Sequence, residues 1–317
     1  MEESQTVSEP KKKWPLWKKV SLGIVAVLLL AVISASVYAF TLYNQAKQMV
    51  EKDMHQRVTN IDPKVVKEKV SDKEPVNILL LGVDKRSGDR GRSDALIVMT
   101  LDPKKEKMLL VSIPRDTRTE IVGRGHEDKI NHAYAFGGAD MSIATVEHML
   151  NIDLDYYVEI NMEGLKDLVD LVGGVTVHNE LDWTDESRNF HYAPGELNLN
   201  GDQALGYVRM RYEDPQGDFG RTKRQRDVIE GIINKGKSIA TIGKIGDLID
   251  ILGANMATNM DMEDIRNLLL DYRSAAKQTE EYMLQGSGSK INGIYYYIVP
   301  YEEIEKVQQM IASVGEV

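Results

Sequence analysis

Three patterns of hydrophobic and polar residues follow one another along the chain. Residues 20–40 read VSLGIVAVLLLAVISASVYAF, with 17 of 21 positions apolar and no charged side chain between Lys19 and Lys47. About 20 predominantly apolar residues suffice for a helix to span a bilayer, so this run is long enough. Lys11, Lys12, Lys13, Lys18 and Lys19 precede it, with Trp14 and Trp17 among them. Lysines on the near side and interfacial tryptophans orient such a helix with its N-terminus in the cytoplasm. The pattern predicts a cytoplasmic basic tail over 1–19, a transmembrane anchor over 20–43 and an extracytoplasmic remainder. A cleaved signal peptide competes, with Val37-Tyr38-Ala39 as a loose cleavage site. The apolar run outlasts the roughly 7–15 residues of such a segment, which favours a retained anchor.

Residues 44–74 are polar and charged, and predict a helical stalk or linker. From Pro75 the pattern changes. Residues 76–83, 95–101 and 108–113 are short runs rich in Val, Ile and Leu, as in strands covered on both faces. Helical spacing follows over 139–150 and 162–171, with strands predicted at 156–160 and 175–177. Gly173-Gly174 closes the second helix. Further helices are predicted over 222–238, 245–252 and 262–276, then a turn at 285–289 and a strand at 294–299. Strands mixed with amphipathic helices predict a single three-layer α/β/α domain over 75–317, with a mixed central sheet.

Composition narrows the function. The 317 residues carry 39 Lys and Arg against 49 Asp and Glu, a net charge of −10. Residues 1–19 hold five cations and three anions, which leaves −12 on the rest. An acidic domain on the outer side of a membrane argues against nucleic acid as a partner. Cysteine is absent, which excludes disulfides, thiolate metal sites and cysteine nucleophiles.

Candidate chemistry gathers at strand ends. Asp84 ends the first strand in LLGVD, and Asp94 opens the second in GRSDAL. Ligands of open α/β sheets bind outside strand ends, and carboxylate oxygens suit magnesium better than zinc. Asp in turns is also common, so these two alone could be turn caps. Arginines strengthen the case. Arg92 is two residues from Asp94, Arg115 follows the third strand in SIPRDT, and Arg209 and Arg211 sit two apart in YVRMRY. If that last stretch is extended, both point to one face. DFGRTKRQR, residues 218–226, adds four cations at a helix start, where anions are favoured. Arginine suits bidentate phosphate contact. The competing reading is a solvated salt-bridge surface with Glu213, Asp214, Asp218 and Asp227, and spacing alone leaves both open. The string GIINKGKS, residues 231–238, matches a P-loop but continues a helical run with no strand before it. The histidines show no metal-binding spacing, and no GxSxG elbow occurs.

These segments in order resemble the LytR-CpsA-Psr family: NILLLGVD, GRSDAL, SIPRDT, KINHAY (129–134), GGVTV (173–177), NGDQAL (200–205), RMR and DFGRTKRQ. The series covers roughly residues 76–240, and the N-terminal anchor agrees with it. The resemblance implies one extracytoplasmic catalytic domain over 75–317. It implies a membrane-anchored phosphotransferase of Gram-positive bacteria. Such an enzyme moves an anionic glycopolymer, wall teichoic acid first among the candidates, from a polyprenyl diphosphate carrier to a peptidoglycan hydroxyl. By the same resemblance, Asp84 and Asp94 would hold Mg2+, or Mn2+, against the diphosphate. Arg92, Arg115, Lys129, Arg209, Arg211, Arg221 and Gln225 would grip its oxygens, and an apolar channel would house the lipid. Two alternatives remain at this stage. One is a polyprenyl diphosphate hydrolase, with water as the acceptor, and the other a non-catalytic cell-envelope regulatory or binding protein.

Overall fold

The computed structural model describes residues 31–84, except 35, 39, 42 and 46, together with 91–236 and 255–315. The basic tail, residues 20–30 of the apolar segment and the helix expected over 245–252 lie outside the described residues. The chain divides into two units, 1–45 and 46–317. In the first, the described residues 31–45 are helical and expose Val32, Ile33, Val37, Tyr38, Phe40 and Tyr43. Ser36 and Thr41 donate their hydroxyls to the carbonyls of Val32 and Val37 four residues back, so neither needs water as a partner. Among the described residues no helix is long and apolar enough to cross a membrane.

The second unit is built on a six-stranded mixed sheet. Its central strands are β1 (Val76–Asp84), β2 (Arg92–Asp102) and β3 (Lys107–Ser112). With β6 (Tyr156–Asn161), β11 (Met256–Thr258) and β12 (Gln278–Met283) they take the order β11-β6-β1-β2-β3-β12. β1 runs parallel to β6 and antiparallel to β2, and β3 runs parallel to β12. Helices α1 (Pro63–Ser71), α2 (His132–Leu150), α3 (Met162–Leu171), α4 (Gly201–Arg209), α5 (Asp218–Gly236), α6 (Met262–Asp271) and α7 (Tyr301–Gly315) surround it. α2 and α7 pack on each other and on β2, while α3 lies on β1 and β6, and α5 on β3. The central strands are apolar on both sides because both sides are covered. Leu79, Leu81, Val83, Leu96 and Val98 are almost fully buried, and Leu80, Ile97 and Met99 face the opposite way.

The expected stalk is largely folded into this unit. Val58, Ile61, Val66 and Val70 join the main core, and Asp62 caps α1 with Pro63 at its first position. The i, i+4 pair Val66 and Val70 supplies the apolar edge that docks it. β12 (QTEEYM) has no apolar run, as suits an edge strand guarded by charge. Smaller sheets complete the unit. These are β4 (Arg118–Glu120) with β5 (Glu127–Lys129), β7 (Val175–Asn179) with β10 (Gly195–Leu199), β8 (Trp183–Asp185) with β9 (Phe190–Tyr192), and β13 (Ser287–Ile291) with β14 (Ile294–Ile298).

Candidate functional site

A β-bulge builds the first part of the site. Gly82 pairs with Ala95 and Val83 pairs with Ser93, so Asp94 is the extra residue of β2. A bulge re-aims side chains locally, and this one turns Asp94 toward the segment that follows β3. There Nη1 of Arg115 lies 2.5 Å from Oδ1 of Asp94. The first turn of α5 brings the second part. Oδ1 of Asp218 lies 2.7 Å from Nη2 of Arg221, 3.5 Å from Nη2 of Arg115 and 3.8 Å from Nε of Arg211. Three guanidinium groups from separate stretches of chain thus converge on one carboxylate oxygen.

The charge balance of this cluster is strained. Burial pushes the Arg221 guanidinium below its usual range, helped by Arg115 and Arg211 and opposed by Asp218 and Asp94. Arg115 is buried too, but Asp218, Asp94 and Asp116 outweigh that burial and hold its cation more firmly than usual. Nε of Arg115, Nε of Arg221, Oγ of Ser93 and Oε1 of Gln225 are buried without a hydrogen-bond partner. Unsatisfied buried donors are costly, and an anion placed among the arginines would satisfy two of them.

An apolar cavity of about 210 Å3 adjoins the cluster. Leu80, Ala95, Ile97, Met99, Val158 and Ile160 of the sheet form one wall, and α3 and α5 form the other. Gly82 also lines it, and a Cβ there would come within 3.0 Å of Cβ of Ala95, so the smallest side chains sit nearest the bulge. α5 links the two regions. Asp218, Arg221, Gln225, Ile229 and Ile232 recur at helical spacing, and the last three line the cavity. A single helix face therefore passes from ionic to apolar.

The structure sorts the other expected residues. Asp84 ends β1 opposite Arg92 in the ladder, and Arg92 is exposed. Lys129 binds Asp116 at 2.8 Å, next in sequence to Arg115. Gln225 follows Arg221 by one turn. The extended stretch considered for 207–212 is not formed: α4 continues to Arg209, and Met210 caps its C-terminal end. Arg209 and Arg211 consequently do not share a strand face. Arg209 is exposed in the last turn of α4, without an ion pair among the described residues, while Arg211 joins Asp218. The four cations of 221–226 also separate. Arg221 enters the cluster, Lys223 binds Glu180, Arg224 binds Asp214 at 2.6 Å, and Arg226 binds Glu281 and Ser112. Of the expected solvated salt-bridge surface only the Lys223–Glu180 pair is exposed; the Arg224–Asp214 pair and Arg226 are buried.

The profile of the LytR_cpsA_psr family matches residues 36–313. The chain belongs to this family. Among LytR-CpsA-Psr relatives, a polyisoprenyl-teichoic acid–peptidoglycan teichoic acid transferase TagU from Bacillus anthracis is 47% identical over 285 residues. That match covers 89% of this chain and 93% of the relative. The crystal structure of B. subtilis TagU superposes with a TM-score of 0.63 at 40% identity, covering 77% of this chain and 98% of that one. A structure of TagT bound to LI-WTA superposes with a TM-score of 0.67 at 31% identity, covering 82% and 95%.

Two further observations complete the LytR-CpsA-Psr site. Residues 231–236 of the P-loop-like string are the last turns of α5 and follow no strand, unlike a phosphate loop. Among the described residues no group of three or more His, Asp or Glu side chains is placed to hold a metal ion. Asp218 is the residue that sequence reasoning assigned to the surface and the structure places at the centre. Its i, i+3 spacing to Arg221 was the available signal.

Proposed function

We propose that the chain is a membrane-anchored phosphotransferase that moves an anionic glycopolymer, wall teichoic acid, from a polyprenyl diphosphate carrier to a hydroxyl of peptidoglycan. The observation that carries this reading is the α5 face, along which Asp218 and Arg221 give way to Gln225, Ile229 and Ile232. An amphipathic lipid diphosphate has the same succession of chemistry. Its prenyl chain fits the apolar cavity, and its phosphates meet Arg115, Arg211 and Arg221. Arg92, Arg209, Lys129 and Gln225 would contact its remaining oxygens. The resemblance in sequence and fold to proteins named as teichoic acid transferases supports the same substrate.

In the reaction, a glycan hydroxyl attacks the phosphorus that carries the polymer. The bond from that phosphorus to the bridging oxygen breaks, its electron pair leaves on the polyprenyl phosphate, and the hydroxyl proton is given up to solvent. Phosphoryl transfer asks a protein mainly to position reactants and to stabilise spread negative charge. Preorganised arginines do both: they orient the diphosphate and meet charge as it grows on the leaving group. Asp218 keeps them together before the substrate enters. Asp84 and Asp94 would hold Mg2+ or Mn2+, since such ions bind through one or two carboxylates completed by substrate phosphate oxygens. A bound divalent ion supplies further neutralisation of phosphate charge. Residues 20–43 would anchor the enzyme with its N-terminus in the cytoplasm and its catalytic domain outside. The satisfied hydroxyls of Ser36 and Thr41 suit an apolar medium.

The test is to incubate the full chain in detergent with magnesium and a polyprenyl diphosphate-linked disaccharide, with and without glycan strands. A glycan-linked phosphodiester that forms only with glycan supports transfer. Equal release of sugar phosphate in both reactions would replace transfer by hydrolysis.

A further inference from the structure

The hairpin β13–β14 places an open aromatic face beside the arginine cluster. Tyr297 is buried and packs edge-on against Phe219, next in sequence to Asp218, with ring centroids 5.2 Å apart. The Tyr297 amide also donates to the carbonyl of Asp116 at 2.8 Å. These two contacts fix the hairpin to α5 and to the Arg115–Asp116 segment. Tyr295 lies two residues earlier on the same strand and so shares the face of Tyr297.

A glycine leaves room for the edge of the Tyr295 ring. A Cβ on Gly288 would come within 2.8 Å of Cε2 and 2.9 Å of the hydroxyl oxygen, so that edge rests against the neighbouring strand. Tyr295 remains 41% exposed, so surface remains for a ligand. Nζ of Lys129 stands over the ring, 6.0 Å from its centroid, and 2.8 Å from Asp116. The tyrosine hydroxyl feels the charges of Asp116, Asp218 and Arg211, which places it at the rim of the cluster.

An open aromatic face bordered by an ammonium and a carboxylate matches a pyranose. Such a ring has C–H groups on its faces and hydroxyls around its edge. Stacking on the aromatic face buries the former, while Lys129 and Asp116 hydrogen-bond the latter. We propose that Tyr295, its edge against Gly288 and bordered by Lys129 and Asp116, forms a sugar subsite that positions a pyranose next to the diphosphate. This deepens the transferase reading and rests on it. Two sources share the chemistry: the sugar attached to the donor diphosphate and the sugar of the acceptor glycan.

The full chain in detergent is titrated separately with two probes, a polyprenyl diphosphate-linked disaccharide and an uncrosslinked peptidoglycan glycan oligomer. Wild type, Tyr295→Phe and Tyr295→Ala are compared by equilibrium binding and by KM. Tyr295→Ala weakens one probe about tenfold, the size of a lost aromatic stack, while Tyr295→Phe keeps near-wild-type affinity. Weakening of the lipid-linked probe assigns the subsite to the donor, and weakening of the oligomer assigns it to the acceptor. Gly288→Val, which displaces the ring, weakens the same probe as Tyr295→Ala. Unchanged affinity for both probes in Tyr295→Ala overturns the proposal, as does equal loss in Tyr295→Phe. Binding is read without turnover, so a wild-type chain that binds sugar through Tyr295 but transfers nothing would refute the transferase reading and leave the subsite standing.

Discussion

Oδ1 of Asp218 lies 2.7 Å from Nη2 of Arg221, one turn along the same helix, and the two groups act as a placeholder pair. Asp218 supplies the negative charge that Arg115, Arg211 and Arg221 share. Removing one partner of a partly buried pair leaves uncompensated charge. Asp218→Ala should therefore lose about 3 kcal/mol of stability. Inorganic diphosphate should restore much of the loss by binding the folded state in place of the carboxylate. Thermal unfolding with and without millimolar diphosphate measures both effects. An unchanged Tm that diphosphate does not raise would refute the placeholder role.

Arg221 and Arg224 are three residues apart on α5 and should behave oppositely. Arg224 is 5% exposed and Asp214 4%, and Arg224 also donates to the carbonyls of Tyr207 and Met210. Arg224→Met should cost about 3–5 kcal/mol in stability, because it strands a buried carboxylate. Arg221 is held charged against its burial. Arg221→Met should keep or raise the Tm while transfer falls by roughly 100-fold or more, the scale of a lost charge-stabilising donor. Melting curves beside initial rates separate the two.

The cavity can be closed without touching a charge. Ala95 lines it opposite Gly82, at the end nearest the bulge. Ala95→Phe should fill that end and weaken binding of polyprenyl phosphate by at least about tenfold, as expected when overpacking competes with a ligand. Inorganic diphosphate affinity should stay near that of wild type. Loss of both affinities together would mean that the arginines had moved as well.

Asp227 gives a pH dependence that is independent of catalysis. Burial, then the charge of Glu281, raises its carboxyl from 3.8 to about 6. The folded state therefore binds the proton more tightly than the unfolded chain does. The stability this provides is complete below about pH 4 and lost as the pH rises through about 6. Asp227→Asn should accordingly be more stable than wild type at pH 7.5, by about 2–3 kcal/mol for a shift of roughly two pH units. The difference should vanish near pH 4. A gain of the same size at both pH values would point to packing instead of titration.

Much of this architecture was legible in the sequence, and the exceptions have physical causes. The central strands announced themselves because both faces are buried, leaving unbroken runs such as residues 76–83. β12 did not, since Glu280 pairs with Lys107 on one face while Glu281 pairs with the buried Arg226 on the other. α1 was expected only as part of a helical stalk or linker, because its polar surround leaves just Val66 and Val70 to dock it on the core. In the site, Arg115, Arg211 and Arg221 were found by residue type and spacing. Asp218 escaped because a carboxylate among arginines looks like an ordinary surface pair until the third dimension shows three cations meeting at one atom. Tyr295 escaped because the residues around its ring, Lys129 and Gly288, belong to other strands.

The central claim is that the arginine cluster directs a phosphoryl group from lipid to glycan. The most direct measurement uses a polyprenyl diphosphate-linked disaccharide labelled separately at each phosphate, incubated with magnesium, glycan strands and the full chain. The account predicts that the sugar-side label appears on glycan and the lipid-side label on polyprenyl phosphate, with both signals lost in Arg115→Ala. Lipid-side label on glycan, sugar phosphate released with no label on glycan, or undiminished transfer by Arg115→Ala would contradict it.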